Sequence, residues 1–403
     1  MKKAITISAI ASNQGKTVLT TALLYHFRDS VRAFKIGPDF IDPLFHQKVT
    51  STPCLNLDTF MMNKEQVKWI FSKYADKNMA ILEGVMGFYD GLDKGSSAYD
   101  VSSFLNIPTI LLLDGSATYI TISAVLKGLK TYREDNTIKA VIFNKLSSNR
   151  HFELIKKQIE EDHKDIKILG WIPKNLKSLD SIHLGLDLSD ENFKKIESIS
   201  KDVLKNIDLK ELEKLSFSEV EDSLYPFESI PKSDKTLAVV HDENFLFLYH
   251  DNLEFFKEVF DKVTIVNPSK DEIVDTDVVY ICGGYVETDK AYDSLKDSTN
   301  FKNSLISHAK TKPIYGECAG FIYLGKSIED KKMSGILDIE FMMSKRFTRL
   351  GYYEVDGVKG HCFHHSYPVA NDIMSMSKDK VYGTYLHTFF RNHVSILKDK
   401  FEI

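Results

Sequence analysis

Pro313-Ile-Tyr-Gly-Glu-Cys-Ala-Gly-Phe-Ile-Tyr-Leu324 sets a G-x-C-x-G run between a short apolar segment and a helical one. The pattern is that of a nucleophile elbow, with cysteine in the place hydrolases give to serine. A sharp strand-to-helix turn lifts the side chain at its apex into a cleft. The helix N-terminus that follows is expected to favour thiolate at Cys318 and to bind an oxyanion. An inert core cysteine does not need glycine on both sides, so the pattern favours a reactive thiol.

At the other end of the chain, Lys3-Ala-Ile-Thr-Ile-Ser-Ala-Ile10 reads as a buried strand. Ala11-Ser-Asn-Gln-Gly-Lys-Thr17 follows, then a helical run from Val18 to Phe27. This is the second half of a phosphate-binding loop, with Ile10 where the first glycine of G-x-x-x-x-G-K-[ST] usually stands. The chemistry survives that change. Gly15 lets backbone N–H groups approach phosphate, Lys16 brings a point charge and the Thr17 hydroxyl suits Mg²⁺.

Between these sites the first half alternates apolar runs with helical ones. Ala33–Ile36, Met79–Leu82, Thr109–Leu113 and Ala140–Phe143 read as strands, and Lys64–Tyr74 and Ile120–Leu129 as helices. The pattern predicts an α/β fold with a doubly wound, mostly parallel sheet. Polar residues gather where the strands end, at Gly37–Asp42, Glu83–Asp90, Asp114 and Asn144-Lys145. The carboxyl ends of strands form the ligand crevice of such sheets. From Leu186 to Lys235 the chain becomes charged and helical, a closing helix and linker. Thr236–Val240, Lys262–Val266 and Asp277–Cys282 then open a second unit. Two domains are expected, 1–225 and 226–403.

Composition excludes several classes. A chain of 403 residues with 43% hydrophobic content can bury two cores. A net charge of −5 and a pI near 6.2 give no basic field for nucleic acid. The four cysteines, at 54, 282, 318 and 362, lack C-x-x-C spacing, which argues against structural zinc or a disulfide framework. With no signal peptide at Met1-Lys-Lys and no run long enough to span a membrane, a cytoplasmic setting is expected.

A base for Cys318 is sought among His361, His364, His365, His387 and His393. His387 fits best, because it follows the strand-like Val381–Leu386 near the chain end, where a loop could return it to the elbow. Cys282-Gly-Gly-Tyr285 ends another strand with two glycines suited to an oxyanion-binding backbone.

Phe34-Lys-Ile-Gly-Pro-Asp-Phe-Ile-Asp-Pro43, Asn56-Leu-Asp58, Glu83-Gly-Val-Met-Gly-Phe-Tyr-Asp-Gly91, Asn144–His151, His183-Leu-Gly-Leu186, Gly283-Gly-Tyr285, Leu350-Gly-Tyr352 and Gly360-His361 occur in this order over nearly the whole chain. Together they resemble the cobyrinate a,c-diamide synthase family. The resemblance implies a dethiobiotin-synthetase-like ATP domain joined to an α/β class I glutamine amidotransferase domain. It implies amidation of a corrinoid, cobyrinic acid, with ATP and L-glutamine as co-substrates. Lys16 and the loop amides would hold the phosphates. Thr17, Glu83 and Asp39 would bind Mg²⁺, while Asp39, Asp42 and Asp90 would serve phosphoryl and ammonia transfer. Lys35 would touch phosphate or substrate carboxylate, and Asn144 the adenine edge. Cys318 would attack glutamine, His387 would carry the proton, and the amides of Gly284 and Ala319 would hold the oxyanion. Ammonia would need a sheltered route between the two sites, and a homodimer is compatible with the family.

Some positions depart from the family pattern. Phe389 stands two residues after His387, where class I glutaminases often place a glutamate. Cys362 replaces the glutamate expected after His361, and Cys282 and Val286 replace a glycine and a proline. The expectation is a Cys–His dyad with an orienting group not identified by sequence. Hydrogenobyrinic acid and nickel-sirohydrochlorin remain alternative substrates. A nonenzymatic P-loop partner protein with a decayed glutaminase remains an alternative of another class, and dethiobiotin synthetase itself is disfavoured because it needs no glutaminase half.

Overall fold

The apolar runs of the first half form one seven-stranded parallel sheet: β1 (Lys3–Ala9), β2 (Val31–Ile36), β3 (Leu55–Leu57), β4 (Met79–Gly84), β5 (Thr109–Asp114), β6 (Ile138–Leu146) and β7 (Lys167–Pro173). Their spatial order is β3-β2-β4-β1-β5-β6-β7. Every residue of β2 and β4 is buried, which is why these strands read as continuous apolar runs rather than alternating ones. The chain leaves β1 toward β2 on one side and later crosses to β5 on the other. The strand order therefore reverses at β1, and the loop after it lies at the switch point where open sheets bind ligands.

Helix α1 (Lys16–His26) starts directly after Gly15, and α2 (Ile41–Thr50) follows β2. The charged stretch beyond residue 186 supplies α3 (Asp190–Leu204), which packs against α1. Leu19, Ala22 and Leu23 of α1 share one core cluster with Ile196, Ile199 and Val203 of α3. That three-and-four spacing puts one apolar stripe on each helix. The computed structural model describes residues 3–176, 181–182, 185–186, 190–370 and 372–403, so His183 and Leu184 of the quoted motif lie outside the described residues. The chain divides into two units, Met1–Pro226 and Phe227–Ile403.

The second unit is built on six strands: β8 (Thr236–Val240), β9 (Lys262–Val266), β10 (Val278–Ile281), β11 (Ile314–Glu317), β12 (Ser375–Lys378) and β13 (Val381–Thr384). Their order is β9-β8-β10-β11-β13-β12, parallel except for the β12–β13 pair. Helix α4 (Ala319–Leu324) springs from the end of β11, and an antiparallel hairpin joins Arg349–Val355 to Val358–His364. Both units are thus α/β with parallel cores, as the sequence pattern predicts.

One polar cluster is built into the second core. Arg391 is 1% exposed and donates to Asp251 at 2.8 and 3.1 Å and to Glu258 at 2.5 and 3.0 Å. Asp251 is itself buried, so deleting the guanidinium would strand a carboxylate without its counter-charge. Arg391→Ala is expected to cost about 3–5 kcal/mol of stability. Urea denaturation followed by tyrosine and tryptophan fluorescence reads it as a lower transition midpoint.

Candidate active site

In the first unit the sheet register assembles the site. Lys35 of β2 is level with Asn56 of β3 on one side and Glu83 of β4 on the other. Asn56 donates to the carbonyls of Gly37 and Asp39 at 2.9 and 2.7 Å, which fixes the loop that carries the acids. The Lys35 ammonium then lies 2.5 Å from Asp42, 3.2 Å from Glu83 and 3.5 Å from Asp39. Burial works against that cation, but the charges of Asp42, Glu83 and Asp39 outweigh it and raise its pKa well above the ordinary value. Burial also acts on Glu83, yet Lys35, His46 and Thr17 hold it well below the usual carboxylate range. Asp42 is the exception, pushed up to about 7 by burial against the pull of Lys35, with Asp39 and Glu83 adding to the push.

The loop after β1 closes over this cluster. Asn13 and Gly15 have φ of 60° and 91°, turning the backbone into α1. Lys16 is nearly buried, and its ammonium donates to the Ala11 and Met86 carbonyls at 2.9 and 2.5 Å. Burial lowers its pKa to about 8, with Glu83 pulling the other way. The Thr17 hydroxyl donates to Glu83 at 2.9 Å and lies 3.3 Å from Asp42. Asn144, at the end of β6, donates its amide to the Gln14 carbonyl at 2.8 Å and so ties the loop to the far side of the crevice. Asp90 is exposed and accepts the Gly87 N–H at 2.7 Å, apart from the Lys35 cluster. Asp39 accepts the Ile41 N–H at 2.9 Å at the start of α2.

The donor chemistry suits Mg²⁺. Thr17 and Glu83 offer hard oxygens side by side, and Glu83 Oε2 is buried without a hydrogen-bond partner, although His46 Nε2 lies 3.1 Å from it. That contact has the distance of an ion pair but not hydrogen-bond geometry. Among the described residues no group of three or more His, Cys, Asp and Glu side chains converges on a metal position. An ion held by one hydroxyl, one carboxylate and the phosphates of its nucleotide is the usual Mg²⁺ arrangement.

In the second unit, Cys318 takes φ 48° and ψ −102° between β11 and α4, a conformation rare for a residue with a side chain. The flanking glycines explain why it is tolerated. A Cβ at Gly320 would lie 2.6 Å from the Ile281 carbonyl, and one at Gly316 within 3.0 Å of the Gly320 backbone. The Cys318 N–H donates to the Thr384 carbonyl at 2.7 Å, tying the elbow to β13. One expectation needs correction: the thiol is not predisposed to thiolate. Burial, with the charges of Glu287 and Cys362 adding to it, pushes its pKa up, and the Ala319 amide opposes this only weakly. Helix α4 has only six residues, so its dipole is small against the cost of desolvation.

His387 is the histidine brought to this place. Its backbone exchanges two hydrogen bonds of 2.9 Å with His361, and its ring covers Gly283, where a Cβ would come 2.3 Å from Cε1. Gly284 packs as tightly on Asn244, whose carbonyl would lie 1.9 Å from a Cβ there. The group that sequence reasoning missed is Glu317, the residue before the nucleophile. It is fully buried and lies 3.2 Å from His387 Nδ1. Nothing in a strand residue preceding a cysteine singles it out; only the β11–β13 pairing brings it to the histidine. His364, another candidate base, is instead stacked on Tyr385 at 3.7 Å and bonded to the Ser366 carbonyl at 2.9 Å.

A phosphate loop at the switch point of one parallel sheet and a cysteine elbow at a strand end of another are the marks of a glutamine-dependent amidoligase. Residues 5–187 match the CobQ/CobB/MinD/ParA nucleotide binding domain and residues 236–395 the CobB/CobQ-like glutamine amidotransferase domain. The chain is 35% identical to a cobyrinate a,c-diamide synthase of Saccharolobus solfataricus, over 91% of this chain and 89% of that one. It is 36% identical to the protein of the same name from Methanocaldococcus jannaschii, over 90% and 87%. The chain belongs to the cobyrinate a,c-diamide synthase family, glutamine-hydrolysing carbon–nitrogen ligases of cobalamin biosynthesis. Among the described residues no helix is long and apolar enough to cross a membrane.

Two outcomes follow from this geometry. Gly283→Ala is expected to displace the His387 ring and reduce glutamine hydrolysis at least about 100-fold, measured as glutamate released. Burial lowers the His364 pKa to about 3, so the folded state keeps this ring neutral while the unfolded chain protonates it near 6.5. Its stabilising contribution is complete above 6.5 and is lost as pH falls from there toward 3. Between pH 6 and 4 the unfolding free energy should fall about 1.4 kcal/mol per pH unit more steeply in the wild type than in His364→Phe.

Proposed function

We propose that this enzyme amidates the a and c acetate side chains of cobyrinic acid, activating each carboxylate with ATP and taking ammonia from glutamine. The observation that carries the reading is the presence, in one chain, of the Lys16–Thr17–Glu83 phosphate site and the Cys318–His387 elbow. A carboxylate does not react with ammonia at neutral pH, so one carboxylate oxygen attacks the γ-phosphorus of ATP and ADP leaves. Ammonia then adds to the acyl phosphate carbon and phosphate departs, leaving the amide. Lys16 and the amides of the Gly15 turn hold the phosphates. Lys35, whose charge is secured by three acids, presents a permanent cation to the transferring phosphoryl group or the substrate carboxylate. Thr17 and Glu83, with Asp39 beside them, would hold Mg²⁺, which when bound neutralises phosphate charge. Asp42, with its pKa raised to about 7, would exchange a proton with the incoming ammonia. Asp90 completes the acidic rim near Lys16, and Asn144 holds the loop from the side on which adenine is expected.

At the second site Cys318 adds to the glutamine carboxamide while His387 takes the thiol proton. The histidine returns it to the departing ammonia, and water then hydrolyses the thioester. The Ala319 and Gly284 amides would hold the developing oxyanion.

Purified protein incubated with ATP, Mg²⁺, glutamine and cobyrinic acid should add two successive carboxyl-to-amide conversions by mass spectrometry. A preference for hydrogenobyrinic acid or nickel-sirohydrochlorin in parallel incubations would reassign the ring. No amide on any ring, even with ammonia in place of glutamine, would overturn the reading. Cys318→Ala should lose glutamine-supported amidation at least about 100-fold while ammonia still supports it, and Lys16→Ala should lose both.

A further inference from the structure

We infer that Glu317 is the positioning acid of the glutaminase, completing with Cys318 and His387 a triad whose acid immediately precedes its nucleophile in the chain. The inference rests on the glutaminase reading above. The position two residues after the histidine is filled by Phe389, which is 3% exposed and whose ring lies 4.4 Å from that of Tyr249, so it brings no charge to the imidazole. The carboxylate comes from the neighbouring strand instead. Glu317 ends β11 opposite Thr384 of β13, and the chain then runs three residues further to His387. Glu317 is 1% exposed, its Oε2 lies 3.2 Å from His387 Nδ1, and the imidazole is as deeply buried.

A carboxylate at that depth is costly unless something uses its charge. Burial raises the pKa of Glu317, and the His387 contact, the Tyr280 hydroxyl and the Thr388 amide act against that rise. Tyr280, on the adjacent β10, is fully buried, and neither its hydroxyl nor Glu317 Oε1 has a hydrogen-bond partner. The imidazole is thus the one side chain to which Glu317 makes a well-formed bond among the described residues.

With the carboxylate accepting from Nδ1–H, the tautomer is set and Nε2 is the edge that exchanges protons. The balance closes. The thiol proton passes to Nε2 as Sγ bonds to the carboxamide carbon, and the imidazolium is stabilised by Glu317, which stays ionised. The Nε2 proton leaves with ammonia as the C–N bond breaks. Water adds to the thioester, giving glutamate and restoring the thiol.

The test compares wild type, Glu317→Gln and Glu317→Asp, measuring kcat and KM for glutamine hydrolysis, ammonia-supported amidation and thermal midpoint. Glu317→Gln keeps shape and burial but removes the charge, so kcat should fall about 10²–10⁴-fold with KM for glutamine changed less than about threefold. Glu317→Asp, which restores the charge on a shorter arm, should recover at least about tenfold of that loss. Glutamine turnover by Glu317→Gln within about threefold of wild type would overturn the inference. So would equal loss of glutamine hydrolysis and ammonia-supported amidation in both variants, which would mark Glu317 as structural. Failure of the wild type to form amide from ammonia would instead sink the synthetase reading, and glutamate release would still report on Glu317.

Discussion

The chemistry of the first unit depends on one buried cation. Lys35 is surrounded by Asp39, Asp42 and Glu83, and its ammonium offsets the charge that these acids bring together. Without the ammonium, Glu83 would be a carboxylate in a dry strand that has lost its nearest full charge, left with the Thr17 hydroxyl, His46 and the more distant Lys16. With it, Glu83 stays ionised at any ordinary pH and can face Thr17 and a nucleotide-bound cation. Asp42, at the edge of the same cluster, is left close to neutrality. Environment thus drives two neighbouring carboxyls apart, one held ionised and the other raised toward neutral pH.

The second unit solves a different problem by backbone proximity. A thiol can be raised from a strand end only if strand and helix approach more closely than side chains allow, and Gly316 and Gly320 supply that approach. The same economy brings the ring of His387 onto Gly283. The cost is a deeply buried thiol whose pKa is pushed up by that burial.

Much of this was legible in the amino-acid order. Thr236–Val240 and Lys262–Val266 are strands with the expected ends: the first is a buried apolar run, and the second, largely exposed at the sheet edge, is marked by its β-branched residues. The helix expected over Lys64–Tyr74 is present, opened by an Asn63 capping box. The elbow and the phosphate loop were readable because each chemistry demands particular residues within a few positions of one another. What stayed hidden is what register decides. That Lys35 faces Glu83, that Asn144 reaches across to Gln14, and that Glu317 meets His387 all depend on pairing between strands distant in sequence. Local sequence reports the helix that follows Cys318 but not the depth of burial that raises its pKa.

The placement of Glu317 next to Cys318 has a mechanical meaning. In a triad drawn from three separate segments, three bodies must be aligned, and each can drift on its own. Here two of the three members are consecutive residues of one strand end, so any shift of that strand carries acid and nucleophile together. The histidine segment is then the one member joined from a separate strand, and its fit on Gly283 and its paired backbone bonds to His361 hold it there.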